Sequence, residues 1–420
     1  MKILVIGGGG REHAICWALN KSPRVDKLYC APGNGGIAEI AECVDIGVKE
    51  IDKVVRFAAE TSIDLVVVAP DDPLALGMVD ALEAAGIRAF GPSRAAAMLE
   101  SSKVYAKGIM KKYGIPTADY VVFSEADEAK AYIRKKGTPL VVKADGLALG
   151  KGVVVAMDPE IACKAVDSML LDKKFGDSGN QIIVEEYMSG PEITLLAFTD
   201  GTTIVPMLSS QDYKRAYSGN FGPNTGGMGA FCPSPVYTDE LADVCMSTIV
   251  FPTVAAMNSE GCPFRGVLYF GLMLTPKGLR VVEYNVRFGD PEAQPILTML
   301  KTDLLDIFEA VIDKRLHEIS IEWNKGFACC VVMSSGGYPG RYDTGYEISG
   351  LNNLSDDITV FHAGTMRSYG SLITTGGRVL GITATGDTLE NASSKAYKGV
   401  SRIYFDKAHY RSDIGIIGLK

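Results

Sequence analysis

The chain opens with the apolar run Ile3-Leu4-Val5-Ile6 and passes at once into Gly7-Gly8-Gly9-Gly10, then Arg11-Glu12-His13-Ala14. An unbroken apolar run of this kind reads as a strand buried on both faces, the signature of a parallel sheet covered by helices. The alternation continues with a helix over about 11–20, strands at Lys27–Cys30 and Leu65–Ala69, and a helix over about 74–85. Strands alternating with helices predict a doubly wound parallel α/β domain over residues 1–101. The amides of the glycine turn and the positive end of the helix after it favour an anion such as a phosphate. A dinucleotide fingerprint would need a third glycine where Glu12 stands and an acid after the second strand, where Ala31-Pro32-Gly33 follows Cys30. The NAD reading is therefore demoted.

The 420 residues carry 42 basic and 50 acidic side chains, 42 − 50 = −8, with 47% hydrophobic residues. At roughly 150 residues per domain this suggests about three domains. A net acidic chain lacks the basic face of a nucleic-acid binder, and none is expected as a partner. The nine cysteines include no Cys-x-x-Cys pair, so they read as reduced residues of a cytoplasmic protein. The N-terminus does not resemble a signal peptide. The longest uncharged run, Ala216 to Thr238, is rich in Gly, Pro, Asn and Ser, so it is expected to be a long functional loop and not a membrane helix.

Residues 102–316 read as a longer α/β region with strands at Leu140–Lys143, Val153–Ala156, Ile182–Glu185 and Val267–Leu274 and a small inserted subdomain at about 120–187. Residues 326–420, with turn signals such as Gly336-Gly337-Tyr338-Pro339-Gly340, suggest a small α+β domain.

Within the central region, Lys143 to Val153 joins two strands through a loop containing Gly146, Gly150, Lys151 and Gly152. Gly152 stands where a Walker A motif needs a hydroxyl for magnesium, so this is not that motif. A glycine flap can still cover a triphosphate with its amides and Lys151, and Lys143, leaving a buried strand, has an anion to meet. In Leu279 to Arg287, period-2 alternation puts Glu283, Asn285 and Arg287 on one face and Val282, Tyr284 and Val286 on the other. A carboxylate, an amide oxygen and a guanidinium in a row suit a hard cation with phosphate oxygens, then an anionic substrate group. Phe288-Gly289-Asp290-Pro291-Glu292 extends the polar cluster, and Asp212 and Lys214 precede the glycine-rich segment Gly222 to Gly229. His317, His362 and His409 are isolated and read as structural; zinc-ligand and serine-nucleophile patterns are missing from the sequence.

Five segments together, Gly9-Gly10-Arg11-Glu12-His13-Ala14, Ala31-Pro32-Gly33-Asn34, Lys143-Ala144-Asp145-Gly146-Leu147-Ala148, Pro223 to Ala230 and Glu283 to Glu292, closely resemble the phosphoribosylamine–glycine ligase family of the ATP-grasp superfamily. The resemblance runs in order from residue 1 to about 415. It implies that ATP, glycine and 5-phosphoribosylamine give glycinamide ribonucleotide, ADP and phosphate through glycyl phosphate, in purine synthesis. It further implies that Lys103 and Lys143 touch ATP phosphates under the flap Gly146–Gly152, including Gly150 and Lys151. Glu185, Glu186 and Met188 would lie along adenine and Glu192 on the ribose. Glu283 and Asn285 would bind Mg²⁺ or Mn²⁺. Asp212, Lys214, Asn224, Thr225, Gly226, Gly227, Arg287 and Asp290 would form the glycine and phosphoryl-transfer site. Gly8, Gly9, Gly10, Arg11, Glu12, Asn34 and Asp71 would face phosphoribosylamine.

Two residues depart from the family pattern. Ala69-Pro70-Asp71 stands for the usual Gly-Pro-Glu, and Tyr213 replaces a histidine beside Asp212. Rival readings are another ATP-grasp carboxylate–amine ligase, a purine-ribonucleotide carboxylase, or a nucleotide-binding regulator without catalysis. No membrane association is expected, and a monomer is the expected state.

Overall fold

The computed structural model describes residues 1–147 and 152–416, with Asp177 by its backbone alone. Five parallel strands form the first sheet, in the order Glu42–Cys43, Lys27–Pro32, Lys2–Gly7, Leu65–Val68 and Ala89–Phe90. Ile3, Leu4, Val5 and Ile6 are all fully buried, because the central strand has helices on both faces. Ile3 and Val5 enter one core, Leu4 and Ile6 the other, as period-2 alternation requires. One helical expectation needs correction, and one helix was missed. The span 74–85 is split into Asp71–Ala75 and Met78–Ala84 by Gly77, whose φ of +87° ends the first helix. The helix Ile51–Thr61 was not anticipated, although Ile51, Val54, Val55 and Ala58 make an apolar stripe at helical spacing, with Val54 and Ala58 buried in the core.

Residues Tyr120 to Glu186 build a separate four-stranded antiparallel sheet, ordered Tyr120–Phe123, Ile182–Glu186, Leu140–Ala144, Val153–Ala156. Helices Ala126–Lys136 and Pro159–Val166 close its small core around Ile133, Val142 and Val166. The connection Tyr187–Pro191 leads from this sheet into a second antiparallel sheet, ordered Ile204–Pro206, Glu192–Thr199, Gly266–Thr275, Gly278–Asn285. Behind this sheet, the helical run Asp239–Ser259 is long and apolar enough by length and composition to cross a membrane. Its Ile249, Val250, Val254 and Met257 instead share a core with Phe270, Val281 and Tyr284, and the Thr253 and Tyr284 hydroxyls bond at 2.8 Å.

The uncharged span 216–238 corrects the loop expectation. It holds a hairpin of Arg215–Tyr217 with Phe221–Asn224 and then the buried strand Gly229–Cys232. That strand, with Gln211–Asp212, joins the C-terminal sheet of Phe327–Ser335, Arg378–Gly386 and Ile358–His362. The span is free of charge because part of it is core: Phe231 and Cys232 are fully buried.

Phe308, on the helix Leu304–Ile312, locks these units together. It stacks on Phe90 of the first sheet with ring centroids 3.9 Å apart and meets Phe288 at 6.4 Å. Phe308→Ala is expected to lower unfolding free energy by about 3–5 kcal/mol, read from urea denaturation; a loss under 1 kcal/mol would contradict this packing.

Candidate functional site

Gly7, with φ of +123°, turns the first strand into the helix Gly10–Leu19, and a side chain there would collide with Glu12. Glu12 caps that helix: Oε2 accepts from the Gly9 amide at 2.6 Å, while Oε1 takes the Arg11 Nε at 2.6 Å. The turn is tied to the C-terminal sheet by Asn34, whose amide donates to Gly8 O at 3.0 Å and His362 O at 2.8 Å. His13 Nδ1 accepts from the His362 amide at 2.8 Å, so both histidines hold two domains together. Burial is the main cause lowering them, to about 3 for His13 and about 4 for His362.

Arg11 and Arg287 meet at one atom. Arg11 Nη1 donates to the Phe288 carbonyl at 3.1 Å and Arg287 Nη1 at 3.3 Å. Arg287 also donates from Nη2 to Glu100 Oε1 at 2.7 Å and to Asn285 Oδ1 at 3.0 Å, while Glu100 Oε2 accepts from the Val286 amide at 2.7 Å. Its Nε is buried and makes no hydrogen bond. Burial raises the Asp71 carboxyl, but Arg287 and Arg11 outweigh it and hold Asp71 below its ordinary value.

Alternation along the strand Gly278–Asn285 and its continuation holds from Glu283 onward, with Tyr284 and Val286 buried and Glu283, Asn285 and Arg287 partly open. Val282 departs from expectation. A bulge opposite Gly271–Leu272 shifts the register, so Val282 leaves the core face and lines a cleft with Glu192, Thr194, Lys214 and Tyr269. In that cleft Lys214 Nζ lies 3.1 Å from Glu192 Oε2 and 3.8 Å from Glu283 Oε1. Asp212 joins them: burial pushes its carboxyl up to about 7, with Lys214 opposing and Glu292, Glu192 and Glu283 reinforcing. Burial also raises Glu283, yet Lys214, Lys143, Lys103 and Arg287 together keep it below the usual range.

Tyr213 points the other way. It is 4% exposed within the C-terminal core, under the Arg411 guanidinium at 4.7 Å, and its hydroxyl accepts from the Gly415 amide. Lys214 O accepts from Thr225 Oγ1 at 2.9 Å, and Thr225 Oγ1 accepts from the Gly227 amide at 2.9 Å, which shapes the Asn224–Gly227 segment. Arg378 anchors that segment to Asp290, donating to Gly226 O at 2.8 Å and Asp290 O at 2.6 Å and pairing with Asp290 Oδ2 at 3.2 Å.

At the flap, Lys103 Nζ donates to Gly146 O at 2.9 Å and Lys143 Nζ pairs with Glu185 Oε2 at 2.8 Å. The Ala144 amide donates to Gly152 O at 2.8 Å and closes the flap's base. Gly150 and Lys151, expected at its tip, lie outside the described residues. Glu186 turns to Lys277 at 2.8 Å, and Met188 lies half-buried in the connection between the two antiparallel sheets. Glu100 and Arg378 complete the site without a sequence signal of their own, except that Arg378 follows Gly376-Gly377.

Lysines beside Gly146 and Gly152, a carboxylate and an amide oxygen on one strand, and a glycine turn flanked by arginines form one polar cluster. That cluster can hold a polyphosphate beside two further small substrates.

The phosphoribosylglycinamide synthetase family models match this chain in three consecutive parts: the N domain at residues 1–100, the ATP-grasp (A) domain at 101–293 and the C domain at 328–416. The phosphoribosylamine–glycine ligase of Halalkalibacterium halodurans is 48% identical over 415 residues, covering 99% of this chain and 96% of that protein. The crystal structure of the Thermotoga maritima phosphoribosylamine–glycine ligase superposes with a TM-score of 0.84 at 33% identity, covering 98% of this chain and all of that one. The biotin carboxylase domain of Hydrogenobacter thermophilus 2-oxoglutarate carboxylase, solved with MgADP and bicarbonate, shares the fold at a TM-score of 0.75 and 17% identity, covering 97% of this chain and 91% of that one.

Burial pushes the Glu100 carboxyl up to about 7 from an ordinary 4.5, with Arg287 opposing and Asp71 reinforcing. Below pH 4.5 Glu100 is protonated folded or unfolded; between 4.5 and 7 only the unfolded chain ionises, so stability falls as pH rises. Glu100→Gln is expected to flatten this window, removing a decline on the order of 3 kcal/mol. Urea midpoints from pH 4 to 8 provide the check, and an unchanged profile would refute the buried, protonated carboxyl.

Proposed function

This chain belongs to the phosphoribosylglycinamide synthetase family, and from that premise we propose how its residues carry the reaction, the ATP-dependent joining of glycine to 5-phosphoribosylamine in purine biosynthesis. Lys103 and Lys143 meet the ATP phosphates beneath the flap. The Glu185–Met188 backbone lies along adenine, and Glu192 takes the ribose hydroxyls. Glu283 and Asn285 offer the hard oxygen donors that Mg²⁺ or Mn²⁺ prefers. Among the described residues no group of three or more His, Cys, Asp or Glu surrounds a metal position. Two protein oxygens, with phosphate oxygens and water, suit an ion that arrives with its nucleotide. Once bound, it would neutralise charge on the transferring phosphate.

The glycine carboxylate attacks the γ-phosphate, forming a new oxygen–phosphorus bond as ADP departs. Lys214 and Arg287 neutralise the charge that develops. The amine of 5-phosphoribosylamine then attacks glycyl phosphate and expels phosphate. Asp212, with its carboxyl near 7, is matched to receive the amine proton. No nucleophilic side chain is required, because both nucleophiles are substrates and the protein supplies position. The observation that carries these assignments is the shared Phe288 carbonyl. It brings Arg11, on the glycine turn, next to Arg287, which supports a reading in which both half-reactions use one cleft.

The cytoplasm, where nine free cysteines stay reduced, is the compartment we assign.

Phosphate release from Mg-ATP is expected to need glycine and freshly generated phosphoribosylamine together, with glycinamide ribonucleotide detected by mass. Release with bicarbonate in place of glycine would favour a carboxylase instead. Glu283→Ala is expected to lower kcat by 100-fold or more, roughly the loss of one strong transition-state contact, with an unchanged urea midpoint. Unaltered turnover at saturating magnesium would remove Glu283 from the metal site.

A further inference from the structure

We propose that Lys107 is a positioning residue that lets Lys143 leave Glu185 for the ATP phosphates, by keeping the buried Glu185 carboxylate neutralised in its absence. The inference rests on the assignment of Lys143 to those phosphates.

Three charged side chains lie together between the helix Lys103–Lys112 and the flap sheet: Lys107 is 2% exposed, Glu185 3% and Lys143 5%. Glu185 stands between two ammonium groups, Lys143 Nζ at 2.8 Å from Oε2 and Lys107 Nζ at 3.3 Å from Oε1. Two cations face one carboxylate, so the trio holds one positive charge in surplus. Buried charges are normally matched, because an uncompensated one is expensive away from water. A surplus cation on the side of the phosphate-facing lysine therefore calls for a reason.

The two contacts are unequal. Lys143 has the close contact to Glu185 and also donates to Val282 O at 3.3 Å. Glu185 Oε1, facing Lys107, has no formed hydrogen bond. Lys107 meanwhile is anchored by donating to Thr117 Oγ1 at 2.7 Å, and Thr117 donates to Val281 O at 2.7 Å. Lys107 is thus fixed beside an unused acceptor. When Lys143 swings to an incoming polyphosphate, the Lys107 contact can tighten, and Glu185 is never left alone. Without Lys107, Lys143 would be the sole counter-ion of Glu185, and each departure would strand a buried carboxylate. Nucleotide binding would then work against that cost.

The test is isothermal titration of the full chain with Mg-ATP. Lys107→Met should weaken Mg-ATP binding by about tenfold or more, equivalent to about 1.4 kcal/mol, while kcat at saturating ATP stays within threefold of wild type. The variant is expected to fold, because it leaves a balanced Lys143–Glu185 pair; should it not, Lys107→Gln serves the same purpose. The decisive arm is Lys107→Met combined with Glu185→Gln, which removes the charge that needs a counter-ion. Its affinity should return to within threefold of Glu185→Gln alone. A lysine that only supports the local fold would not be rescued in this way. Wild-type affinity in Lys107→Met, or a double variant as weak as Lys107→Met itself, would overturn the proposal. Lys143→Met separates the premise from the inference: if it leaves Mg-ATP affinity unchanged, both fail, and if it weakens binding while Lys107→Met does not, only the role of Lys107 fails.

Discussion

The Arg287 guanidinium sits where three parts of the chain converge, and the geometry of the cleft follows from what holds it there. Glu100, on the helix that closes the N-terminal unit, accepts both from Arg287 and from the Val286 amide, so one carboxylate sets a side chain and the backbone next to it. Arg287 then reaches Asn285 on one side and the Phe288 carbonyl on the other, where Arg11 of the glycine turn also donates. A charged network this deep is stable only if nearly every group is matched. The matching is what keeps the glycine turn, the strand Gly278–Asn285 and the Asp290 turn in one register.

Around this joint the cleft carries an uneven charge pattern. Asp212, Glu192 and Glu283 surround Lys214, whereas Lys103, Lys107 and Lys143 crowd the flap side. An acidic half beside a cationic half gives the cleft a steep local charge gradient. The C-terminal domain contributes through arginines that reach backbone. Arg378 holds Gly226 and Asp290, and Arg411 holds the hairpin after Lys214 through Arg215 O and Asn220. Tyr213 in place of a histidine becomes intelligible here, because strand alternation turns it away from Asp212 and Lys214 into that domain's core, where a phenol packs well.

Much of the fold was legible in the residue pattern. The run Ile3–Ile6, the apolar strands of the flap sheet and the pairing across Lys143–Val153 all follow from local periodicity and from glycine at turns. Where the reading went astray, a local pattern met a tertiary demand. The uncharged span from Ala216 resembles a loop because its glycines and prolines dominate, yet Gly229–Cys232 is a strand paired to Phe327–Ser335, a partner about 100 residues away. Val282 falls out of alternation because the bulge opposite Gly271 depends on a neighbouring strand. Glu12 was legible as a charged residue at a helix start, but its carboxylate is spent on the Gly9 amide and Arg11 within the turn itself.

The sequence by itself determined the alternating strands and helices at the N-terminus, the strands that flank the Lys143–Val153 loop, the glycine positions and the types of polar residue available for chemistry, because these rest on steric and hydrophobic rules acting over a few residues. Its motifs, taken together and in order, also determined the family. Only the tertiary structure decided which charges meet. Glu100 lies 187 residues before Arg287, and Asn34 lies 328 before His362. Electrostatic contacts of a few ångströms depend on how separate domains pack, and no local pattern records that distance.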